Sequence, residues 1–142
     1  MFYHGGPFGN GQIKANSNDD TGYTGKIYAS AYGAARSSGR EVVGAIIAPA
    51  ATQGPGVRTG FDFLESNYNE GDQVVIYGYS YGGDNAVNLS ERADAAGIPV
   101  NTMVIVDSSD GPLRGTTVDS SVPENVEYTL NVYPSVQVFR IF

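Results

Sequence analysis

The sequence lacks cysteine and tryptophan altogether and contains a single histidine. Without cysteine, the chain has neither a disulfide framework nor a thiolate metal site. Lysine and arginine number 8 against 15 acidic residues, the net charge is −7, and the basic residues do not cluster. Nucleic acid requires a concentrated positive face, so the composition argues against such a partner. No window approaches the ~20 consecutive apolar residues of a membrane span.

The N-terminal stretch MFYHGGPFGNG contains no basic segment followed by a long apolar run. We therefore expect no secretory signal in the chain as given, and a cytoplasmic location. Met1 leads almost directly into an apolar run of the strand type, which is abrupt for a complete domain. This start indicates a gene-fragment boundary.

The length and composition are typical of one compact domain. The chain has 142 residues, of which 41% are apolar and 16% charged, and its 19 glycines are spread along it. A chain of this size buries roughly two-thirds of the surface that its unfolded form exposes. We predict a single domain over residues 1–142.

Apolar runs of strand length recur along the chain, and the segments between them have helical spacing. The runs cover residues 1–3, 41–48, 73–79 and 101–106. Helices are marked by residues that share a face: Ile27, Ala31 and Ala35; Val57, Phe61, Leu64 and Tyr68; and Ala86, Leu89, Ala93 and Ala96, with Gly97 as the terminator. The alternation predicts an α/β fold with a mainly parallel sheet and helices on both of its faces.

The C-terminal part departs from this alternation. Residues 126–133 are predicted to form a fifth strand, and the tail SVQVFRIF then alternates apolar and polar residues to the terminus. Such alternation is typical of an edge strand or an exposed extension. The sequence predicts no closing helix.

The stretch VVIYGYSYGGDNAV carries the candidate nucleophile. Gly78, Ser80 and Gly82 fit the pattern G-x-S-x-G, with an apolar strand before the serine and an amphipathic helix after it. In such a turn the serine takes a strained conformation that exposes its hydroxyl, and the helix N-terminus offers N–H groups to a developing oxyanion. The alternative interpretation is a tight glycine turn with an incidental serine.

Three segments are spaced along nearly the whole chain: HGG at residues 4–6, GDQVVIYGYSYGG at residues 71–83 and VIVDSSDGP at residues 104–112. With these segments the sequence resembles the α/β-hydrolase superfamily, specifically its small bacterial lipase- and esterase-like members. The resemblance implies a three-layer sandwich with a five-strand sheet in the order 2-1-3-4-5. The crevice between strands one and three would then bring the two glycine-containing segments together.

The resemblance also implies roles for particular residues. Gly6, in the loop that follows His4, supplies one oxyanion N–H, and Tyr81, directly after the nucleophile, supplies the other. Asp107, at the end of the strand that follows the elbow helix, is the triad acid, and Asp110 is the second choice. The alternatives are a simple turn at residues 4–6 and a capping role for Asp107.

Two other features are weaker. Tyrosines alternate around the nucleophile, and we expect Tyr77 in the core and Tyr79 or Tyr81 in the wall of an apolar acyl pocket. The stretch NSNDD at residues 16–20 gathers oxygen ligands of the kind that calcium takes, but it lacks the register of a calcium loop. We expect a solvated loop there.

The catalytic base is missing from its usual place. In this superfamily a histidine follows the nucleophile and the acid, whereas His4 precedes Ser80 and no histidine follows Asp107. The chain is a shortened relative that lost its final strand and histidine loop, or His4 substitutes as the base, or the fold is kept for binding. We favour the first explanation. His4 then serves in the oxyanion loop, because a base must lie on the opposite side of the serine hydroxyl.

The sequence thus predicts a serine hydrolase that acts on small-molecule substrates, carboxyl esters or lactones, through Ser80, without a cofactor or a metal. Its activity is expected to be weak because the base is missing or atypical. The alternative is a catalytically impaired binding protein, or a fragment, with the α/β-hydrolase fold.

Overall fold

Strands and helices alternate through most of the described chain. The structure, a computed structural model, describes residues 1–6, 9, 11–15, 22–108 and 121–133. Its elements in chain order are β1 (Phe2–Tyr3), β2 (Gln12–Ala15), α1 (Gly22–Ser37), β3 (Ala45–Ala48), α2 (Gln53–Asn67), β4 (Val75–Tyr79), α3 (Tyr81–Ala95), β5 (Val100–Val106) and β6 (Val126–Val132). Within these ranges, no helix is both long enough and apolar enough to cross a membrane.

The strands form one mixed sheet in the order β2-β3-β1-β4-β5-β6. All neighbouring strands are parallel except β2, which runs antiparallel to β3. The N-terminal strand lies beside the strand that precedes Ser80, as predicted, with Phe2 opposite Tyr77.

The predicted count of five strands is wrong, because six strands pair in the sheet among the described residues alone. The additional strand, β2, lies beyond β3 at one edge of the sheet, a position that the predicted strand order lacks. Its sequence, QIKA, is too short to show a clear alternation of apolar and polar residues. Backbone pairing with β3, rather than apolar content, makes it a strand.

Consecutive residues of the central strands are buried on opposite faces of the sheet, as expected for parallel strands. Tyr3, Ile47 and Ile76 pack in a cluster that includes Phe61 from α2 and Leu89 from α3. Their neighbours on the other face pack in a second cluster, composed of Phe2, Ile46, Tyr77, Tyr28 and Tyr32. The two tyrosines of α1 in this cluster place that helix on the face opposite α2 and α3.

The buried face of α1 differs from the predicted one. Ile27, which was expected to mark that face, is 42% exposed, whereas Tyr28 and Tyr32 are buried. The ring of Phe2 lies 5.2 Å from that of Tyr28 and 5.3 Å from that of Tyr77. Aromatic rings bury more area than isoleucine and alanine and gain from edge and stacked contacts, so they determine the rotation of the helix.

The remaining predicted elements are present with adjusted ends. The helix over Gln53–Asn67 ends where Tyr68 donates its N–H to Leu64 O, and Gly97 follows α3 with a φ of +72°. Only residues 45–48 of the predicted second strand pair in the sheet. The predicted fifth strand is β6, whereas the tail after Tyr133 lies outside the described residues.

Candidate active site

Ser80 occupies the turn between β4 and α3 in a backbone conformation that non-glycine residues rarely adopt. Its φ is 52° and its ψ is −123°. Such a conformation costs on the order of 1–3 kcal/mol and persists only where the surrounding structure enforces it. In the described part of the chain, Asp107 is the one other non-glycine residue with a positive φ, at 48°. The two residues predicted as nucleophile and acid are thus the two with a positive φ, a conformation that aspartate tolerates better than serine does.

Glycines around Ser80 allow the strand and the helix to approach each other. A Cβ on Gly78 would lie 2.6 Å from the Cα of Gly83, and a Cβ on Gly83 would lie 2.8 Å from the Oγ of Ser108. Real Cβ atoms do not approach other atoms this closely, so any other residue at these positions would force the elements apart. The pattern G-x-S-x-G and the glycine after it therefore reflect real steric limits.

The loop after β1 lies against the Ser80 turn. The His4 N–H donates to Ile47 O at 3.0 Å, which fixes the start of the loop beside β3. A Cβ on Gly5 would lie 2.7 Å from Cδ1 of Tyr79 and 3.2 Å from the Cβ of Ser80. Gly6 follows with a φ of +84°, a value suited to glycine. The predicted oxyanion loop is therefore adjacent to the predicted nucleophile.

A cavity of about 200 Å³ opens beside Ser80. The described residues that line it are His4, Gly5, Gly6, Tyr23, Thr24, Tyr79 and Ser80. The predicted pocket tyrosine is therefore Tyr79, since Tyr81 is 4% exposed and is not among the lining residues. Tyr77 is buried in the core, as expected.

Tyr81 is the first residue of α3, so its backbone N–H is one of the leading donors of the helix, whereas its side chain is buried. The leading N–H groups of a helix have no acceptor within the helix, so they are suited to bind an oxyanion. Burial, and secondarily the charge of the buried Asp84 carboxyl, raise the pKa of the Tyr81 hydroxyl above its ordinary value. The side chain therefore stays neutral and anchors the first turn of the helix.

Asp107 directly follows β5, at the same edge of the sheet as Ser80. The Ser80 N–H donates to Val106 O at 2.8 Å, and the Asp107 N–H donates to Val132 O at 2.8 Å. Asp107 is exposed and is not among the residues that line the cavity. The second choice for the acid, Asp110, lies outside the described residues.

The only histidine of the chain lines the same cavity as Ser80. It is partly buried, and its position in the loop follows from the hydrogen bond of its backbone N–H to β3. The structure thus brings His4, Gly6 and Ser80 together around one cavity, whereas Tyr81 and Asp107 do not line it.

Sequence reasoning missed the contribution of α1 to this cavity. Tyr23 and Thr24 belong to the first turn of the helix, 56 or more residues before Ser80 in the sequence. Thr24 is 2% exposed and shares a side-chain hydrogen bond with Tyr77. No local pattern marks these two residues, because only the packing of Tyr28 and Tyr32 on the sheet brings the helix start to the site.

Other candidate sites offer less chemistry. A cavity of about 420 Å³ between α2 and α3 is lined by Gly54, Val57, Asn88, Glu91 and Arg92, none of which is a hydroxyl or thiol nucleophile. Across the described ranges, no three His, Cys, Asp or Glu side chains come together as a metal site would require. The acidic stretch at residues 16–20 lies outside those ranges.

Comparison with protein-family models, with curated proteins and with solved structures finds no match to this chain. Its function therefore has to be inferred from its own geometry.

Proposed function

We propose that this protein is a serine hydrolase that cleaves carboxyl esters or lactones through Ser80, on a three-layer scaffold of the α/β-hydrolase type. The observation that carries the proposal is the conformation of Ser80, with a positive φ at a strand-to-helix turn beside a cavity. Strain of this kind has to be offset elsewhere in the fold, and it clusters at functional sites. A turn of purely structural use would be served by glycine without that cost.

The chemistry is acyl transfer. The Oγ of Ser80 forms a bond to the carbonyl carbon of the substrate and gives up its proton, the bond to the leaving oxygen breaks, and that oxygen takes up a proton. Water then cleaves the acyl-serine ester. The N–H groups of Gly6 and Tyr81 stabilise the negative oxygen of each tetrahedral intermediate, which is the role of an oxyanion hole.

The remaining residues support this reaction in different ways. Asp107, at the sheet edge next to Ser80, stabilises a protonated base when one is present. His4 belongs to the loop that provides Gly6, so the proposal gives it a loop role. Without a dedicated base the reaction is slow, yet comparable triad enzymes retain ~10³–10⁴-fold catalysis over water from the oxyanion hole and binding alone.

Labelling with a serine-reactive fluorophosphonate tests the proposal. Mass spectrometry should find the adduct on Ser80 in the wild type and no adduct in Ser80→Ala. Ser66→Ala is the matched control, because Ser66 is an exposed serine on α2 whose hydroxyl donates to Asp62 O. It should be labelled as fast as the wild type.

The competing function is a binding protein on the same scaffold, which the lack of a histidine after Asp107 favours. Under that reading, Ser80 forms no adduct even at high probe concentration, whereas the protein still unfolds cooperatively. That result would refute the hydrolase and leave the binding protein.

A further inference from the structure

Helix α1 covers only part of its side of the sheet. Residues that pair across parallel strands lie on the same side, so Tyr77, Val104 and Leu130 form one row across β4, β5 and β6. Tyr77 packs with the tyrosines of α1 and is buried, Val104 is half-buried, and Leu130 is 57% exposed. The cover that α1 provides therefore ends before it reaches β6.

The neighbouring positions of β6 on this side are also apolar and exposed. Tyr128 is 66% exposed, and Val132, which pairs with Val106, is 41% exposed. We call this surface the open face, and its members are Val104, Val106, Tyr128, Leu130 and Val132. Contiguous apolar surface of this kind marks an interaction site.

The sequence of β6 indicates that the open face is covered in the folded protein. Its apolar residues alternate with polar ones, of which Thr129 pairs with Met103 and so lies on the side of α2 and α3. A strand with one apolar and one polar side packs its apolar side on the protein interior. In β6 the apolar side is the one that α1 leaves uncovered.

Residues 134–142 are suited to cover the open face. They lie outside the described residues and follow directly after Tyr133, at the end of β6. The segment contains no acidic residue, and its large apolar residues are Val136, Val138, Phe139, Ile141 and Phe142. Nine extended residues reach ~30 Å, whereas a strand of seven residues measures ~23 Å. The segment is therefore long enough to turn and run back along β6.

Other occupants fit the open face less well. The connection from β5 to β6 includes residues 109–120, whose only branched aliphatic residues are Leu113 and Val118 and which contain no aromatic residue. For a second copy of the chain the open face is small, on the order of 200 Å² from the strand spacing and the rise per residue. Each partner of a stable dimer contributes ~800 Å². A segment of the same chain needs less area, because its attachment provides an effective concentration in the millimolar range.

We propose that residues 134–142 fold back onto the open face as an intramolecular strap. The strap packs apolar side chains on Tyr128, Leu130 and Val132 and so supplies the layer that α1 does not. It also holds the end of β6, where Val132 O accepts the Asp107 N–H. This packing is independent of any chemistry at Ser80.

Thiol labelling tests the proposal, because the chain contains no cysteine. Leu130→Cys places a single thiol on the open face, and Thr129→Cys places one on the other side of the same strand, where Thr129 is likewise exposed. The rate of reaction with N-ethylmaleimide is divided by the rate for the same variant unfolded in urea, which removes differences in intrinsic reactivity. Leu130→Cys should react at least about 10-fold more slowly than Thr129→Cys, as for a strap that is docked about nine-tenths of the time.

Two substitutions in the strap should remove this protection. Val138→Asn with Phe139→Asn takes away one apolar side chain from each side of an extended segment, so it weakens docking whichever side faces the sheet. In this background Leu130→Cys should react within about 3-fold of Thr129→Cys, because the burial of apolar area is lost. The rate of Thr129→Cys itself should not change, which verifies that the variant is folded.

Gln137→Asn with Arg140→Gln is the matched control, because it changes two polar residues of the same segment, and it should retain the protection. Equal rates of Leu130→Cys and Thr129→Cys with the strap intact would show that the open face is uncovered and would overturn the proposal. Protection that survives the loss of the apolar strap residues would also overturn it. Such protection identifies a second copy as the occupant if it falls on about 100-fold dilution, and another segment of this chain if it does not.

Discussion

The backbone of Gly82 lies against the carbonyl oxygen of His4, so the first turn of α3 contacts the loop after β1 with no side chain between them. A Cβ on Gly82 would also lie 2.8 Å from Tyr3 O and 2.9 Å from the Cβ of Tyr3. Two of these three neighbours are backbone atoms of a central strand and its loop, which cannot move cheaply. The Ser80 turn and the loop with Gly6 are therefore positioned as one unit.

Gly82→Ala should separate the two parts of this unit. We expect a loss of about 1–3 kcal/mol of unfolding free energy, the usual cost of overpacking, together with strongly reduced labelling of Ser80. Urea denaturation and mass spectrometry measure the two effects. Gly33→Ala is the matched control, because Gly33 lies within α1 with nothing near its Cβ position, and it should gain about 0.5–1 kcal/mol. Equal effects of the two variants would contradict the close contact.

Ser80→Gly should be more stable than Ser80→Ala, by on the order of 1 kcal/mol. Glycine relieves about 1–3 kcal/mol of backbone strain at positive φ, and its greater freedom in the unfolded chain offsets about 0.5–1 kcal/mol of that gain. Alanine keeps the strain and removes only the hydroxyl. Thermal and chemical unfolding of the two variants measure the difference. Were Ser80→Ala the more stable, the turn would not be strained.

His4→Ala should lower the rate of Ser80 labelling only modestly and leave the shape of its pH profile unchanged, because we assign His4 to the oxyanion loop. A base would behave differently. Its removal would cost on the order of 10²–10⁴-fold, and the wild-type rate would titrate near the ordinary histidine pKa of about 6.5. Rates measured from about pH 5 to about pH 9, a range that spans the ordinary histidine pKa, separate the two roles.

Added imidazole should accelerate the labelling of Ser80 in the wild type, with saturation, since the sequence provides no histidine after Asp107. A bound imidazole accepts the serine proton, and the Asp107 carboxylate stabilises the cation that forms. We expect an increase on the order of 10-fold, below the full effect of a built-in base. Asp107→Asn should lose the saturable part, and asparagine tolerates the positive φ at this position. An identical response of both proteins would exclude Asp107 as the acid.

The site was predictable from the sequence where local sterics dominate. Gly78 is required by its contacts with Gly82 and Gly83 within the strand-turn-helix unit, and the apolar runs identify the strands that carry the unit. Gly82 and Gly83 instead meet the loop after β1 and the end of β5, which local sequence does not show. Local reasoning fails for two residues of α1: it predicts a buried Ile27, which is exposed, and it does not predict that Tyr23 lines the cavity. Which face of α1 is buried depends on the fit of Tyr28 against Phe2 across the sheet, and that same fit brings Tyr23 to the cavity. Strand β2 was missed because its signal lies in its partner, β3, and not in its own residues.

The stability of the fold should fall above about pH 10, the ordinary tyrosine pKa. Burial raises the pKa of Tyr3, and likewise those of Tyr28, Tyr77 and Tyr81. At that pH the unfolded chain has released protons that the folded chain retains, so the free energy of unfolding decreases as the pH rises. The stabilising contribution of each group is complete at lower pH.

Tyr3→Phe isolates the largest part of this effect. The Tyr3 hydroxyl is fully buried and donates to Gly56 O at 3.2 Å. The variant should lose about 1 kcal/mol at neutral pH, because that hydrogen bond is gone. Above about pH 10 its decline should be shallower than that of the wild type, by on the order of 1 kcal/mol per pH unit. Urea denaturation of both proteins at neutral pH and above about pH 10 measures the two differences. Equal slopes of unfolding free energy against pH would contradict the burial of an ionisable Tyr3.

The position of β1 has a consequence for biosynthesis. It comes first along the chain, yet it lies between β3 and β4, with Phe2 opposite Ile46 on one side and Tyr77 on the other. During translation at ~5–20 residues per second, about 5–20 s separate the synthesis of β1 from that of β5, which holds the Ser80 N–H. An apolar segment thus leaves the ribosome before the strands that flank it, and the hydrogen bond that holds the Ser80 turn can form only after β5 has been made. The turn that we propose as the reactive site therefore depends on a hydrogen bond to a strand that is synthesised after it.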